Sequence, residues 1–88
     1  MRLDQFLKSS RLVKRRTQAK EMCDKAFIRV NGHQAKPSKD IRENDVVSVY
    51  YQLKKLVVRV IDLPKGNIRK EEAQKLYEVL EEKEYEKE

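Results

Sequence analysis

The sequence predicts an α+β fold, with two short packed helices against a small, mostly antiparallel sheet and a C-terminal amphipathic helix appended. Apolar residues recur at helical spacing near the start, at Leu3, Phe6 and Leu7 and again from Ala19 to Ala26. After Phe27 the period changes to two, and Asn31-Gly32 then supplies the pair that best accepts a two-residue hairpin. With 88 residues the chain makes one small unit with a modest core and no room for a separate catalytic domain.

Leu3, Phe6 and Leu7 stand at i, i+3 and i+4, which predicts a first helix with Asp4 favourably placed in its first turn. A basic turn follows. Thr17 is the expected cap of a second helix, whose Ala19, Met22, Cys23 and Ala26 share one face. Ile28 and Val30 alternate with Phe27 and Arg29 as a strand, and residues 33–36 are the expected return strand. Pro37-Ser38-Lys39-Asp40 reads as a loop, and Glu43-Asn44-Asp45 as a turn in which Asn44 accepts a left-handed backbone. Val46–Tyr51 and Leu56–Ile61 are two further strands, joined by a polar tip around Gln52–Lys55. Pro64-Lys65-Gly66-Asn67 ends the sheet. A last helix begins at Ile68 or Lys70, with Ala73, Leu76, Tyr77 and Leu80 on one face, and the glutamate-rich tail beyond Leu80 is expected to fray. The expected division is therefore 1–63 for the binding domain and 64–88 for the C-terminal helix and acidic tail.

Charge is distributed unevenly. Residues 1–60 hold 15 lysines and arginines against 6 acids, a balance of +9, whereas residues 61–88 hold 6 against 9, a balance of −3. The attractive field for an anion lies on the body and not on the tail. It is densest in the segment from Ser10 to Lys20, where Arg11, Lys14, Arg15, Arg16 and Lys20 surround Leu12 and Val13 and no acid occurs between Asp4 and Glu21. A solvated charge run has no need of two apolar residues in its middle. Leu12 and Val13 predict a turn pinned to the core, with its cations standing outward beside a helix N-terminus, an arrangement suited to phosphate. The expected partner is a nucleic acid. Arg2 and Lys8 flank the first helix and join the same surface, although Arg2 has a local pair with Asp4 as its alternative.

Other chemistry finds little support. Cys23 is the single cysteine and sits on the expected core face, so no disulfide is available and a reducing cytosol fits. His33 is the only histidine and has no metal partner in sequence; no zinc ligand set, metal or other cofactor is expected. There is no glycine-rich phosphate loop and no nucleophile elbow, and the glutamates after residue 70 are spaced as a solvated helix face. The expectation is a binding protein and not an enzyme. The N-terminus lacks the apolar run of a signal peptide and no stretch is long enough for a membrane span, so a soluble cytoplasmic protein is expected. Tyr50, Tyr51 and Phe27 offer rings for base stacking, but strand aromatics in so small a chain more often serve the core.

The motifs Arg2-Leu3-Asp4-x-Phe6-Leu7, Ser10-Arg11-Leu12-Val13-Lys14-Arg15-Arg16-Thr17-x-Ala19, Val30-Asn31-Gly32 and Lys36-Pro37-Ser38 together resemble the S-four RNA-binding domain. The resemblance spans roughly residues 1–50. The Met1-Arg2-Leu3-Asp4 start, the chain length and Lys70-Glu71-Glu72-Ala73 are similar to the stand-alone bacterial subgroup of ribosome-associated quality-control P-site factors (RqcP-like). The family usually carries glycine at the positions of Ala26 and Asn44. What the resemblance implies is binding of ribosomal RNA of the large subunit and of peptidyl-tRNA, in rescue of stalled translation beside an elongating partner protein, by a monomer. The RNA-facing positions it implies are Arg2, Lys8, Arg11, Lys14, Arg15, Arg16, Thr17 and Lys20, with Asn31 and Lys36 as second-rank contacts at the hairpin.

Three other readings are compatible with parts of the chain. A heat-shock-type recycling factor of the same family also binds dissociated large subunits, but such proteins generally carry a longer basic C-terminal extension. A protein-docking adaptor would use the acidic C-terminal helix. A DNA-binding regulator would use the helix pair, yet the second helix runs into a sheet and the cations concentrate between the helices.

Overall fold

The computed structural model describes residues 1–64 and 68–86. In chain order the elements are α1 (Leu3–Ser9), α2 (Arg16–Asp24), β1 (Ile28–Val30), β2 (His33–Gln34), β3 (Val46–Tyr50), β4 (Lys54–Val60), α3 (Lys70–Ala73), a 3-10 turn (Gln74–Leu76) and β5 (Tyr77–Glu84). All five strands form one antiparallel sheet in the order β2-β1-β3-β4-β5. The α+β class expected from the sequence is the class found.

The helical periodicity is realised as core. Leu3, Phe6 and Leu7 of α1 are fully buried, as are Ala19 and Cys23 of α2 to within 1%. No side chain caps α1. Its first amides are met instead by the loop after β2: Leu3 N–H donates to the Lys39 carbonyl at 2.8 Å and Asp4 N–H to the Pro37 carbonyl at 3.0 Å. That contact shortens the return strand. Residues 33–36 were expected in it, but after Gln34 the chain turns back over the start of α1, so β2 is His33–Gln34 only.

The helix-to-strand junction after α2 keeps its left-handed residue without glycine. Ala26 has φ 63°, with its own N–H on the Cys23 carbonyl and Phe27 N–H on the Met22 carbonyl, the paired bonds of a Schellman motif. An alanine there costs about 1 kcal/mol relative to glycine, and the two carbonyls satisfied offset part of it. The hairpin follows as expected: Val30 pairs with His33 around Asn31 (φ 52°) and Gly32 (φ 84°), both left-handed as the type I′ turn requires. Asn44 also takes its expected left-handed backbone, at φ 74°.

In β3 and β4 alternate residues face the helices. Val47 pairs with Val58 and Val49 with Leu56, and all four are buried along with Val60. Ile28 and Val30 of β1 continue this face. Each such side chain removed from water contributes roughly 1.5–3 kcal/mol, so the α1–α2 pair is held chiefly by this apolar layer.

The C-terminal segment departs from expectation. The helix expected to reach Leu80 is confined to Lys70–Ala73 and the 3-10 turn; residues 77–84 form β5 and do not fray. Tyr77, Val79 and Leu80 fit both a helical stripe and a strand, and pairing decides between them. β4 would otherwise expose a seven-residue edge, and β5 covers it with Tyr77 opposite Val60 and Val79 opposite Val58. The glutamates add cross-strand ion pairs: Glu78 with Arg59, Glu81 with Lys55 at 3.0 Å, and Glu82 with Lys54 at 3.7 Å. Of the loop expected at 64–67, residues 65–67 lie outside the described residues.

Candidate nucleic-acid interface

The basic turn is a rigid pedestal. Leu12 and Val13 are 6% and 3% exposed, while Arg11, Lys14 and Arg15 stand in solvent. Its backbone is tied on both sides: Arg11 N–H donates to the Lys8 carbonyl at 3.0 Å, Val13 N–H to the Leu7 carbonyl at 3.1 Å, and the Tyr51 hydroxyl to the Leu12 carbonyl. Arg11 is itself left-handed, with φ 62°, at the position after the α1 C-cap where glycine is usual. An arginine in that conformation carries a strain of about 1–2 kcal/mol, which the surrounding bonds sustain.

Lys8, Arg11 and Lys14 line one open groove, floored in part by Leu12 and Tyr51. Lys70, the first residue of α3, lines the same groove. Lys70 is not among the RNA-facing positions expected from the sequence, and no local signal shows that α3 comes beside the basic turn. Tyr51, whose ring offers base stacking or a place at the core, packs against the core half-buried, and burial pushes its phenol pKa up to about 12.

α2 starts one residue before its expected cap. Arg15, in extended conformation (φ −130°, ψ 145°), occupies the N-cap position, Arg16 is the first helical residue, and no side chain caps the helix. Thr17 therefore lies inside the first turn, exposed, and is not the cap. The start is set by tertiary pairing. Arg16 Nε donates to Asp4 Oδ2 at 3.1 Å, and Arg2 reaches the same carboxylate through Nε at 3.2 Å and Nη2 at 3.3 Å. The amides of Arg16, Thr17 and Gln18, left without a capping side chain, give this end of α2 a positive field beside Arg15.

Asp4 is fully buried although it carries an acid. Burial alone would raise its pKa; the hydrogen bonds from Arg16 and Arg2, with that from the Gln5 amide, outweigh this and hold it below the usual 3.8. Arg16 thus differs from Arg11 and Lys14, expected with it to point wholly outward: its Nε is engaged by Asp4 at the core edge while its side chain remains 44% exposed.

Lys20 is exposed on the second turn of α2. Asn31 and Lys36 line a separate depression at the hairpin, with His33 and Lys39. The Asn31 side chain is committed to the fold there, accepting from the Val46 amide at 2.9 Å and donating to Asp45 at 3.2 Å. The structure thus gathers Lys8, Arg11 and Lys14, couples Arg2 with Arg16, and sets Asn31 and Lys36 apart. Cys23 is buried and its thiol pushed up to about 11, chiefly by burial, which leaves it unreactive. Among the described residues no cluster of His, Cys, Asp and Glu could hold a metal ion, and no helix is long and apolar enough to cross a membrane.

Residues 1–47 match the S4 domain family model. The chain is 49% identical over 82 residues to a Bacillus subtilis protein named RQC P-site tRNA stabilizing factor, covering 93% of this chain and 94% of that one. A Streptococcus pneumoniae protein of the same name is 48% identical over 82 residues, covering 93% and 92%. Among solved structures, the trimeric Vibrio cholerae heat shock protein 15 superposes with a TM-score of 0.84 at 26% identity, over 90% of this chain and 80% of that one. The solution structure of the hypothetical protein HP1423 superposes at 0.76 with 31% identity, over 90% and 95%. The chain belongs to the S4 domain family and, within it, to the proteins named RQC P-site tRNA stabilizing factors.

Proposed function

We propose that this protein binds structured RNA of the large ribosomal subunit together with peptidyl-tRNA, and stabilises that tRNA in the P site during rescue of stalled translation. The observation that carries the reading is the pedestal: buried Leu12 and Val13 hold exposed Arg11, Lys14 and Arg15 in one fixed array beside the uncapped start of α2. Such an array matches phosphates at fixed spacing, which a folded RNA presents and a flexible polyanion does not. Relatives that are nearly half identical across the whole match carry this activity in their name.

Arg2, Lys8, Arg11, Lys14, Arg15, Arg16, Thr17 and Lys20 are the principal contacts in this reading, and Asn31 and Lys36 the weaker ones. The Arg forks span phosphate oxygens on adjacent nucleotides, while the α2 amides add dipole attraction. A-form RNA hides its base edges in a deep groove, so discrimination rests on tertiary shape, such as ribosomal RNA beside a tRNA. The protein acts in the cytoplasm as a monomer, without chemistry of its own. An elongating quality-control protein extends the stalled chain beside it.

Sucrose-gradient sedimentation of cell lysate tests this directly. The protein is expected in the large-subunit fractions, and more so when those subunits retain peptidyl-tRNA. Equal recovery on subunits stripped of tRNA would instead favour a recycling factor of the heat-shock type, the reading supported by the likeness to the Vibrio cholerae structure. Recovery only in the free fraction would sink both.

A further inference from the structure

Arg2 and Arg16 come from different elements, yet both close on the Asp4 carboxylate. Oδ1 accepts from Arg2 Nε at 3.2 Å and from the Gln5 amide at 2.8 Å; Oδ2 accepts from Arg2 Nη2 at 3.3 Å and Arg16 Nε at 3.1 Å. Four donors thus saturate one carboxylate that has no exposed surface of its own. The two arginine side chains above it remain 47% and 44% exposed. Each keeps further N–H groups outside the pair, Nη1 on Arg2 and both Nη atoms on Arg16.

We infer that Asp4 is a positioning residue for RNA, holding Arg2 and Arg16 as one preset pair of forks for neighbouring phosphates. The inference rests on the RNA-binding reading above. Long arginine side chains ordinarily lose rotamer freedom when they bind, and a buried carboxylate that has already ordered them removes that cost from the binding step. The position of Asp4 also makes sense of an acid retained in a segment otherwise free of them. Its charge opposes phosphate at long range, so as an aid to binding it must gain more by alignment than it loses by repulsion.

That opposition of sign supplies the test. Asp4→Asn raises the net charge by one, from +6 to +7. If Asp4 only supports the fold, the folded fraction of the variant should bind RNA as well as before, or better. If it aligns the forks, affinity should fall about tenfold despite the added positive charge. Binding is measured on purified large ribosomal subunits at fixed salt, well below the melting temperature of each variant. In an Arg2→Ala, Arg16→Ala background the same substitution should cause no further loss, because nothing remains to be aligned. Unchanged or tighter binding by folded Asp4→Asn overturns the inference while leaving the functional reading intact. Wild-type protein that does not bind large subunits overturns the functional reading, and this inference with it. Should Asp4→Asn not fold, nitrogen-15 spectra of free wild-type protein decide. Two arginine Nε–H signals, resolved and slow to exchange, are expected; all arginines collapsing into one exchanging envelope would refute the preset pair.

Discussion

The hydroxyl of Tyr51, the residue that follows β3, donates to the backbone carbonyl of Leu12 in the basic turn, across 39 positions of sequence. The bond ties the sheet to the segment that carries the cations, and it explains how a solvent-facing turn rich in like charge stays in one conformation. Leu12 and Val13 supply the apolar anchor, and Tyr51 supplies the directional one.

Tyr51→Phe should therefore lower stability by about 1 kcal/mol, or roughly 4–8 °C in Tm for a domain of this size. The phenol is held up at about 12 against 10.0, so it contributes stability that is fully present below pH 10 and lost as pH rises towards 12. Alkaline melts followed by circular dichroism should show that loss in the wild type and a flatter limb in the variant. Identical limbs would mean that the hydroxyl is not buried on the Leu12 carbonyl.

Asp4 governs the acid side with the opposite sign. Its folded pKa lies below 3.8, so its contribution is present above that value and is lost as pH falls through the lower folded one. Arg16→Ala leaves a buried carboxylate short of one donor and should cost about 1–3 kcal/mol at neutral pH, in contrast to Lys14→Ala, whose side chain stands in solvent. Urea denaturation of the two variants at pH 7 separates these outcomes. Equal midpoints would show that Arg16 does not partner Asp4 in solution.

Arg11 and Ala26 both hold left-handed backbones that glycine enters freely, with φ 62° and 63°. Arg11→Gly and Ala26→Gly should each raise stability by about 0.5–1 kcal/mol, the strain relieved less the added freedom of the unfolded chain. They should differ in binding. Arg11→Gly loses a cation from the groove and should bind large subunits more weakly although it melts higher, whereas Ala26→Gly should bind as the wild type does. A gain in stability without loss of binding at Arg11 would remove that residue from the interface.

Truncation after Leu80 removes the half of β5 that pairs with Lys54–Val57 and carries Glu81 and Glu82. Stability should fall by about 1–2 kcal/mol, mainly through lost ladder hydrogen bonds, since exposed ion pairs contribute little. Association with large subunits should persist, as none of the cations assigned to RNA lies on β5. Lost association by a truncated but folded protein would point to β5 as a protein-docking strand.

What the sequence determined by itself is local and periodic. The spacing of Leu3, Phe6 and Leu7 committed α1 to the core; Asn31-Gly32 specified its own turn through backbone preference; Leu12 and Val13 among five cations announced a pinned basic turn. Each needs only neighbours within a few positions, so each was legible. Tertiary structure decided the rest. Residues 77–84 satisfy helical and strand patterns alike, and only the open edge of β4 selects the strand. Arg16, and not Thr17, begins the working face of α2 because a carboxylate twelve residues earlier draws it in. Lys70 reaches the groove because α3, remote in sequence, comes beside the basic turn. In each case the deciding partner is distant in sequence, and pairing or burial outweighs a local preference of a few tenths of a kcal/mol per residue.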